Sequence, residues 1–124
     1  MSARRQARGA AARIAGRRGE VLAALWLMAK GYRILGFRLA ARQGEIDLLA
    51  LRRGTLAVVE VKSRRTLEAA LEAVRPSQRE RLRRAAAQIA SRRPALRNAA
   101  IRLDLFALAP GRLPRHIPDA WRGG

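Results

Sequence analysis

Residues 44–62 read GEIDLLALRRGTLAVVEVK and contain two short β-prone runs, 45–51 and 56–62, joined through Arg52, Arg53, Gly54 and Thr55. Val, Ile and Leu flanking a Gly-containing turn are a hairpin signal. A turn of two residues (Arg53, Gly54) or of four (52–55) sets Asp47 opposite Glu60 and Glu45 opposite Lys62. A three-residue turn would shift the pairing by one position and destroy that alignment.

Working outward from the hairpin, 14–30 has a helical period, with Val21, Leu22, Leu25, Trp26 and Ala29 at three- and four-residue steps and Gly31 as the stop. Residues 32–39 alternate apolar and basic side chains and read as a first strand. On the other side, 66–74 is a short helical segment that Pro76 ends before a second long helix starts near Ser77. In that helix Leu82, Ala85, Ala86 and Ile89 form an apolar stripe, while Arg79, Arg83, Arg84, Arg92 and Arg93 lie mostly off it. Residues 100–108 alternate as a fourth strand. The order predicts an α/β fold: a central mixed sheet of four to five strands flanked by helices. We divide the chain into a basic flexible arm (1–13), the folded domain (14–109) and an irregular tail (110–124).

The 124 residues fit one domain and one core. With 49% hydrophobic and 4% aromatic residues, that core is aliphatic. There are 27 basic residues against nine acidic ones, a net charge of +18 and a pI near 12.0. Such a field attracts polyanions, because neutralising phosphates releases their condensed counterions. Lys30 and Lys62 are the two lysines and arginine supplies the other 25 basic residues. A GC-rich genome would favour Arg over Lys, but it would not produce the excess of base over acid. Nucleic acid, with DNA ahead of RNA, is the expected partner, ahead of an acidic membrane surface. The nucleic-acid contacts are expected from Arg17, Arg18, Arg64, Arg65, Arg79 and Arg83.

The absence of cysteine removes disulfides, thiolate metal sites and cysteine nucleophiles. His116, the single histidine, cannot build a multi-histidine zinc site. The apolar stretch 21–29 is too short to span a bilayer, so a soluble, cytoplasmic protein is expected. The first nineteen residues hold six arginines and no acid. They read as a phosphate-binding arm or an ordinary disordered terminus, ahead of an organelle-targeting peptide.

Acids are scarce, yet three of the nine, Glu45, Asp47 and Glu60, occupy the two hairpin strands, where such residues are disfavoured. Directly facing carboxylates, with Cβ atoms about 4.5–5.5 Å apart, repel unless a cation lies between them. Mg²⁺ (or Mn²⁺) suits this arrangement, since it takes one or two carboxylates plus water and phosphate oxygens. The strand period of two carries Lys62 to the same face as Glu60. An ammonium there can orient or deprotonate a water, or neutralise charge developing on phosphorus. The competing account of Lys62 is a surface salt bridge to Glu45 or Glu60. Asp104 on the last strand reads as a salt bridge to an arginine and Trp26 as core; Trp121 is open to either core packing or base stacking.

Gly19-Glu20, Gly44-Glu45-Ile46-Asp47 and Val59-Glu60-Val61-Lys62, with Gly31-Tyr32 between the first two and a basic helix after, resemble the PD-(D/E)XK nuclease superfamily in the spacing of the bacterial YraN family. The resemblance covers about residues 16–108. It implies a restriction-endonuclease-like fold, similar to Holliday-junction resolvases, and Mg²⁺-dependent phosphodiester hydrolysis in active members. It also implies roles: Asp47 and Glu60 as metal ligands, Lys62 as the catalytic lysine and Glu20 as an auxiliary acid. Gln78 falls where superfamily members carry a polar helix residue near the site, and it departs from the lysine of many YraN relatives. The leading expectation is a metal-dependent endonuclease acting on structured DNA, with a homodimer as one form it could take. The alternative is a DNA- or RNA-binding module that keeps the scaffold without cutting.

Overall fold

The computed structural model describes residues 3–122, with side chains described from Gly16 onward. In chain order the elements are α1 (Ala3–Ala29), β1 (Arg33–Ala41), β2 (Gly44–Arg52), β3 (Thr55–Ser63), α2 (Leu67–Glu72), α3 (Pro76–Ser91), a 3₁₀ turn (Pro94–Leu96), β4 (Ala100–Leu108) and β5 (Arg115–Ile117). The five strands lie side by side in chain order. Three antiparallel pairs, β1–β2, β2–β3 and β4–β5, surround one parallel pair, β3–β4, which α2 and α3 connect. A mixed five-stranded sheet flanked by helices is thus the architecture.

The hairpin closes through the two-residue turn. Arg52 pairs with Thr55, and Arg53 and Gly54 both have positive φ, 49° and 75°, the backbone of a turn whose twist matches its strands. From there the register runs to Leu48 opposite Val59, as the two-residue reading requires.

Each face of the sheet buries its own core. One core joins Ile46, Leu49, Leu56, Val58, Leu103 and Leu105 to Leu82, Ala85, Ala86 and Ala90 of α3. That is the stripe read from the sequence, with Ile89 packed at its margin. The other core joins Leu48, Ala50, Ala57, Val59 and Phe106 to Ala23, Ala24 and Leu27 of α1. Thr66 caps α2 by accepting from Ala69 N at 3.1 Å, and Pro76 opens α3 at a position where its missing N–H costs nothing.

Helix α1 differs from expectation on two counts. It is helical from Ala3, so residues 3–13 continue the helix instead of forming a separate arm. It also packs through its small residues: Val21, Leu22, Leu25 and Met28 are exposed, whereas Gly19, Ala23, Ala24 and Leu27 are buried. The cause is close approach. A Cβ on Gly19 would lie 2.9 Å from Leu108 Cδ1 and 3.2 Å from Val61 Cγ1, so the small face lets the helix sit low on β3 and β4. Trp26 packs edge-on against Phe106, with ring centroids 6.1 Å apart.

Within the segment 110–124, expected to be an irregular tail, the described residues 110–122 contribute the edge strand β5 and a core side chain. Trp121 is buried in the α3-side core and donates from Nε1 to Leu71 O at 3.0 Å. That settles its two sequence readings in favour of the core. Among the described residues, no helix is long and apolar enough to cross a membrane.

Candidate functional site

The β2–β3 ladder stops after Leu48 and Val59, and Asp47 and Glu60 are the next residues along. At Asp47 strand β2 changes face. Ile46 belongs to the α3-side core and Leu48 to the α1-side core, whereas an unbroken pleat would put both on one side. Arg38, which falls opposite Asp47 between the pairs Phe37–Leu48 and Leu39–Ile46, has a φ of 49°, so the neighbouring strand is also irregular here. The Asp47 side chain fills the break: Oδ2 accepts from Val61 N at 3.0 Å, taking the place of a main-chain acceptor.

Glu60 follows Val59 on β3 and therefore points to the α3 side. Its side chain is 3% exposed, and Lys62 Nζ lies 3.9 Å from Oε2. The other oxygen, Oε1, is buried with no hydrogen-bond donor among the described residues. Burial, and then the charge of Asp47, push the Glu60 carboxyl up to about 8, against the pull of the Lys62 ammonium. Burial likewise raises Asp47, opposed by the Val61 hydrogen bond and Lys62. The two acids thus interact directly and share one amine, although the ladder expected to continue through Asp47–Glu60 and Glu45–Lys62 ends at Leu48–Val59. Two acids crowded together, one of them raised to about 8, form a pair whose charge is compensated by a proton or by a cation.

Glu20 is buried on α1 and held by Arg38, whose Nε reaches both carboxylate oxygens at 3.1 and 3.0 Å. Its charge is already compensated. Among the described residues, no group of three or more His, Cys, Asp or Glu converges on a single point, so Glu20 does not complete a three-acid cluster with Asp47 and Glu60. Gln78 is half-buried on the first turn of α3 and is not among the groups that set the charge of either acid. Glu45 is exposed and opposes Ala40 of β1. Of the expected phosphate contacts, Arg17, Arg18, Arg64 and Arg65 are exposed, while Arg79 and Arg83 are half-buried. Arg79 stacks over Trp121 at 5.7 Å, so its guanidinium is committed partly to the core.

A second polar cluster, which the sequence reading reached only through Asp104, lies on the α1 side of the sheet. Asp104 is 0% exposed and accepts from Arg102 Nε and Nη2, both at 2.7 Å, from His116 Nε2 at 2.8 Å and from Asp119 N at 3.0 Å. Burial alone would raise this carboxyl, but the hydrogen bonds from Arg102, His116 and Asp119 outweigh it and hold the group below its usual range. Arg102 also donates to the Tyr32 hydroxyl, and Lys30 Nζ lies 2.9 Å from His116 Nδ1. The salt bridge read for Asp104 is present; His116, assigned to the tail, is a structural partner within it.

The family described as "Uncharacterised protein family UPF0102" matches residues 19–108, from the glycine that lets α1 sit on the sheet to the end of β4. The chain belongs to the UPF0102 family. Similar members are UPF0102 proteins of Caulobacter sp. (strain K31), 75% identical over 119 residues that cover 96% of this chain and 86% of that protein, and of Caulobacter vibrioides (strain NA1000 / CB15N), 70% identical over 119 residues that cover 96% and 95%. A UPF0102 protein of Parvibaculum lavamentivorans is 48% identical over 116 residues that cover 94% and 87%. The YraN-type kinship read from the motifs holds at the level of this family. In this UPF0102 protein the matched span holds both carboxylates, Lys62, Glu20 and Asp104, and leaves out His116 and Trp121.

Proposed function

We propose that this UPF0102 protein is a metal-dependent phosphodiesterase of the PD-(D/E)XK nuclease type that binds and cuts structured DNA. The observation that carries the reading is the buried Glu60 Oε1, which has no donor among the described residues and lies in a pair of interacting acids with one amine beside it. A hard divalent cation, Mg²⁺ or Mn²⁺, fits that donor set: oxygen ligands, two carboxylates and open positions for water and phosphate. Asp47 and Glu60 would hold it, and when bound it supplies Lewis-acid polarisation of a phosphoryl oxygen.

The chain's own groups have separable tasks. Val61 N–H fixes the Asp47 carboxylate through Oδ2, against the side of Glu60. Lys62, half-buried and adjacent to Glu60, presents an ammonium that can hydrogen-bond a phosphate oxygen and offset the negative charge that grows as a water oxygen bonds to phosphorus and the P–O ester bond breaks. The Arg38–Glu20 pair beside Asp47 holds the β1 side of the break. Exposed Arg17, Arg18, Arg64 and Arg65, in a chain of net charge +18, supply the attraction for a polyphosphate backbone.

The test is a nicking and junction-cleavage assay with purified protein and Mg²⁺ or Mn²⁺. Wild type should cut, whereas Asp47→Ala and Lys62→Ala should bind DNA nearly as well and fail to cut. Cutting by both variants at the wild-type rate would trace the activity to a contaminant.

One observation favours a second reading, a DNA- or RNA-binding module without catalysis: Glu20 is neutralised by Arg38, so among the described residues the site has two acids and not three. Calorimetry with Mg²⁺ in the presence of DNA separates the two readings, since absence of metal binding favours the module.

A further inference from the structure

At the closed end of the β2–β3 hairpin, away from the carboxylates, lies a cleft of about 630 Å³ lined by Lys30, Gly31, Arg33, Arg52, Arg53 and Gly54, with Ala29 and Leu51. Its charged lining is four cations and no acid. Among the described residues none of the four forms a salt bridge to a carboxylate. Glu60 lies six steps along the chain from Gly54, about 20 Å at the rise of an extended strand. We infer that this cleft is a second phosphate site, which grips the backbone of a nucleic acid about six base pairs from the carboxylate pair.

Two of the cations are held in place by the buried network. Arg52 lies over the Tyr32 ring, 5.6 Å from its centroid. Lys30 Nζ sits 2.9 Å from His116 Nδ1. The Asp104 carboxylate only accepts, so the His116 nitrogen facing it, Nε2, carries the hydrogen, and Nδ1 is left to accept from Lys30. An ammonium and a guanidinium oriented in this way lose less freedom when an anion arrives.

The turn adds an independent observation. Arg53 holds a φ of 49°, a left-handed position that Asn or Gly fills at less cost. A long cationic side chain there is locally unfavourable, and strain retained at a cleft rim points to use of the side chain. Gly31 and Gly54 line the same cleft without side chains, which lets a phosphate approach the main chain. The inference rests on the nucleic-acid half of the proposed function and is independent of hydrolysis.

The experiment uses the full chain in EDTA, so that no cutting can occur, and reads the anisotropy of a labelled 20-base-pair duplex against salt. The Arg33→Gln, Arg52→Gln, Arg53→Gln triple variant should bind at least about tenfold more weakly, with a log–log salt slope lower by two to three, since each lost phosphate contact removes about 0.9 from it. An Arg92→Gln, Arg93→Gln, Arg97→Gln variant, which loses the same charge from exposed positions elsewhere, should keep most of the affinity. Equal losses in the two variants would overturn the site. Arg53→Asn, which suits the left-handed turn, guards against misfolding and should lower the slope by about one; an unchanged slope counts against the site.

Inorganic pyrophosphate should shift the amide resonances of residues 29–33 and 51–54, and shifts scattered elsewhere would reject the cleft. If wild type ignores the duplex but pyrophosphate shifts these amides, the nucleic-acid reading fails while the anion site stands. Co-sedimentation with phosphatidylglycerol vesicles completes the set. A triple variant that loses vesicle binding but keeps duplex binding would overturn the nucleic-acid assignment in favour of a lipid headgroup.

Discussion

Oδ2 of Asp47 accepts a hydrogen bond from Val61 N at 3.0 Å, at the point where the ladder between β2 and β3 ends. One carboxylate therefore does two things: one oxygen completes the sheet, and the group as a whole faces Glu60. The two roles separate by substitution. Asp47→Ala leaves the Val61 N–H without its acceptor and should cost about 1–3 kcal/mol. Asp47→Asn keeps an acceptor of the same shape and should cost under about 1 kcal/mol. Both should lose the metal. Urea unfolding near pH 5.5, where Glu60 is mostly protonated and relief of repulsion is small, reads the difference; equal stability of the two variants would refute the ladder role.

Glu60 fixes the sign of a pH effect. Burial and the Asp47 charge raise its folded carboxyl to about 8, whereas an unfolded Glu titrates near about 4.3. Between those values the folded chain holds a proton that the unfolded chain has released. Stability of the metal-free protein should then fall as pH rises through that window. Thermal melts in EDTA from pH 5 to 8.5 should show the decline in wild type and a flatter profile in Glu60→Gln. Parallel profiles would show that the carboxyl titrates normally.

The same proton makes metal binding visible. A cation that ligates the Glu60 carboxylate at pH 7 must displace it, so the heat of Mg²⁺ or Mn²⁺ binding should depend on the ionisation enthalpy of the buffer. Release should approach one proton per ion near pH 7 and vanish above about pH 9. Glu60→Gln should bind weakly with no buffer dependence. A heat identical in every buffer would mean that the ion binds without touching Glu60.

Much of the sheet was legible from residues 44–62, because a two-residue turn and two alternating strands leave one register that buries Leu48, Ala50, Ala57 and Val59 together. The closeness of Asp47 to Glu60 followed from that register, although the ladder itself ends one pair earlier, at Leu48–Val59. The face change at Asp47 did not, and it sits opposite Arg38 in a left-handed conformation that no sequence pattern signals. Bulk misdirected the reading of α1: Val21, Leu22 and Leu25 carry the helical period but are exposed, and closeness to the sheet selected Gly19 and Ala23 instead. The tail read as irregular because its prolines and glycines mask a three-residue strand, yet Trp121, an isolated large aromatic among them, was the available sign that the segment returns to the core.

The Asp104 cluster gives the last prediction, one of stability alone. This carboxylate is fully buried and held by Arg102, His116 and the Asp119 N–H. Removing one partner of such a pair leaves the other charge uncompensated, which typically costs about 3–5 kcal/mol, whereas replacing both by apolar groups is often close to neutral. Asp104→Leu should therefore be severely destabilised, and the Arg102→Leu, Asp104→Leu double variant should recover part of the loss. The pH dependence is opposite in sign to that of Glu60. Because the folded carboxyl is depressed, its contribution is complete above the unfolded value near about 3.9 and disappears as pH falls through the folded one. The stability gap between wild type and Asp104→Asn should be constant from pH 5 to 7 and close only in stronger acid. A gap that closes between pH 5 and 6 would show that the Asp104 carboxyl is not held below its usual range.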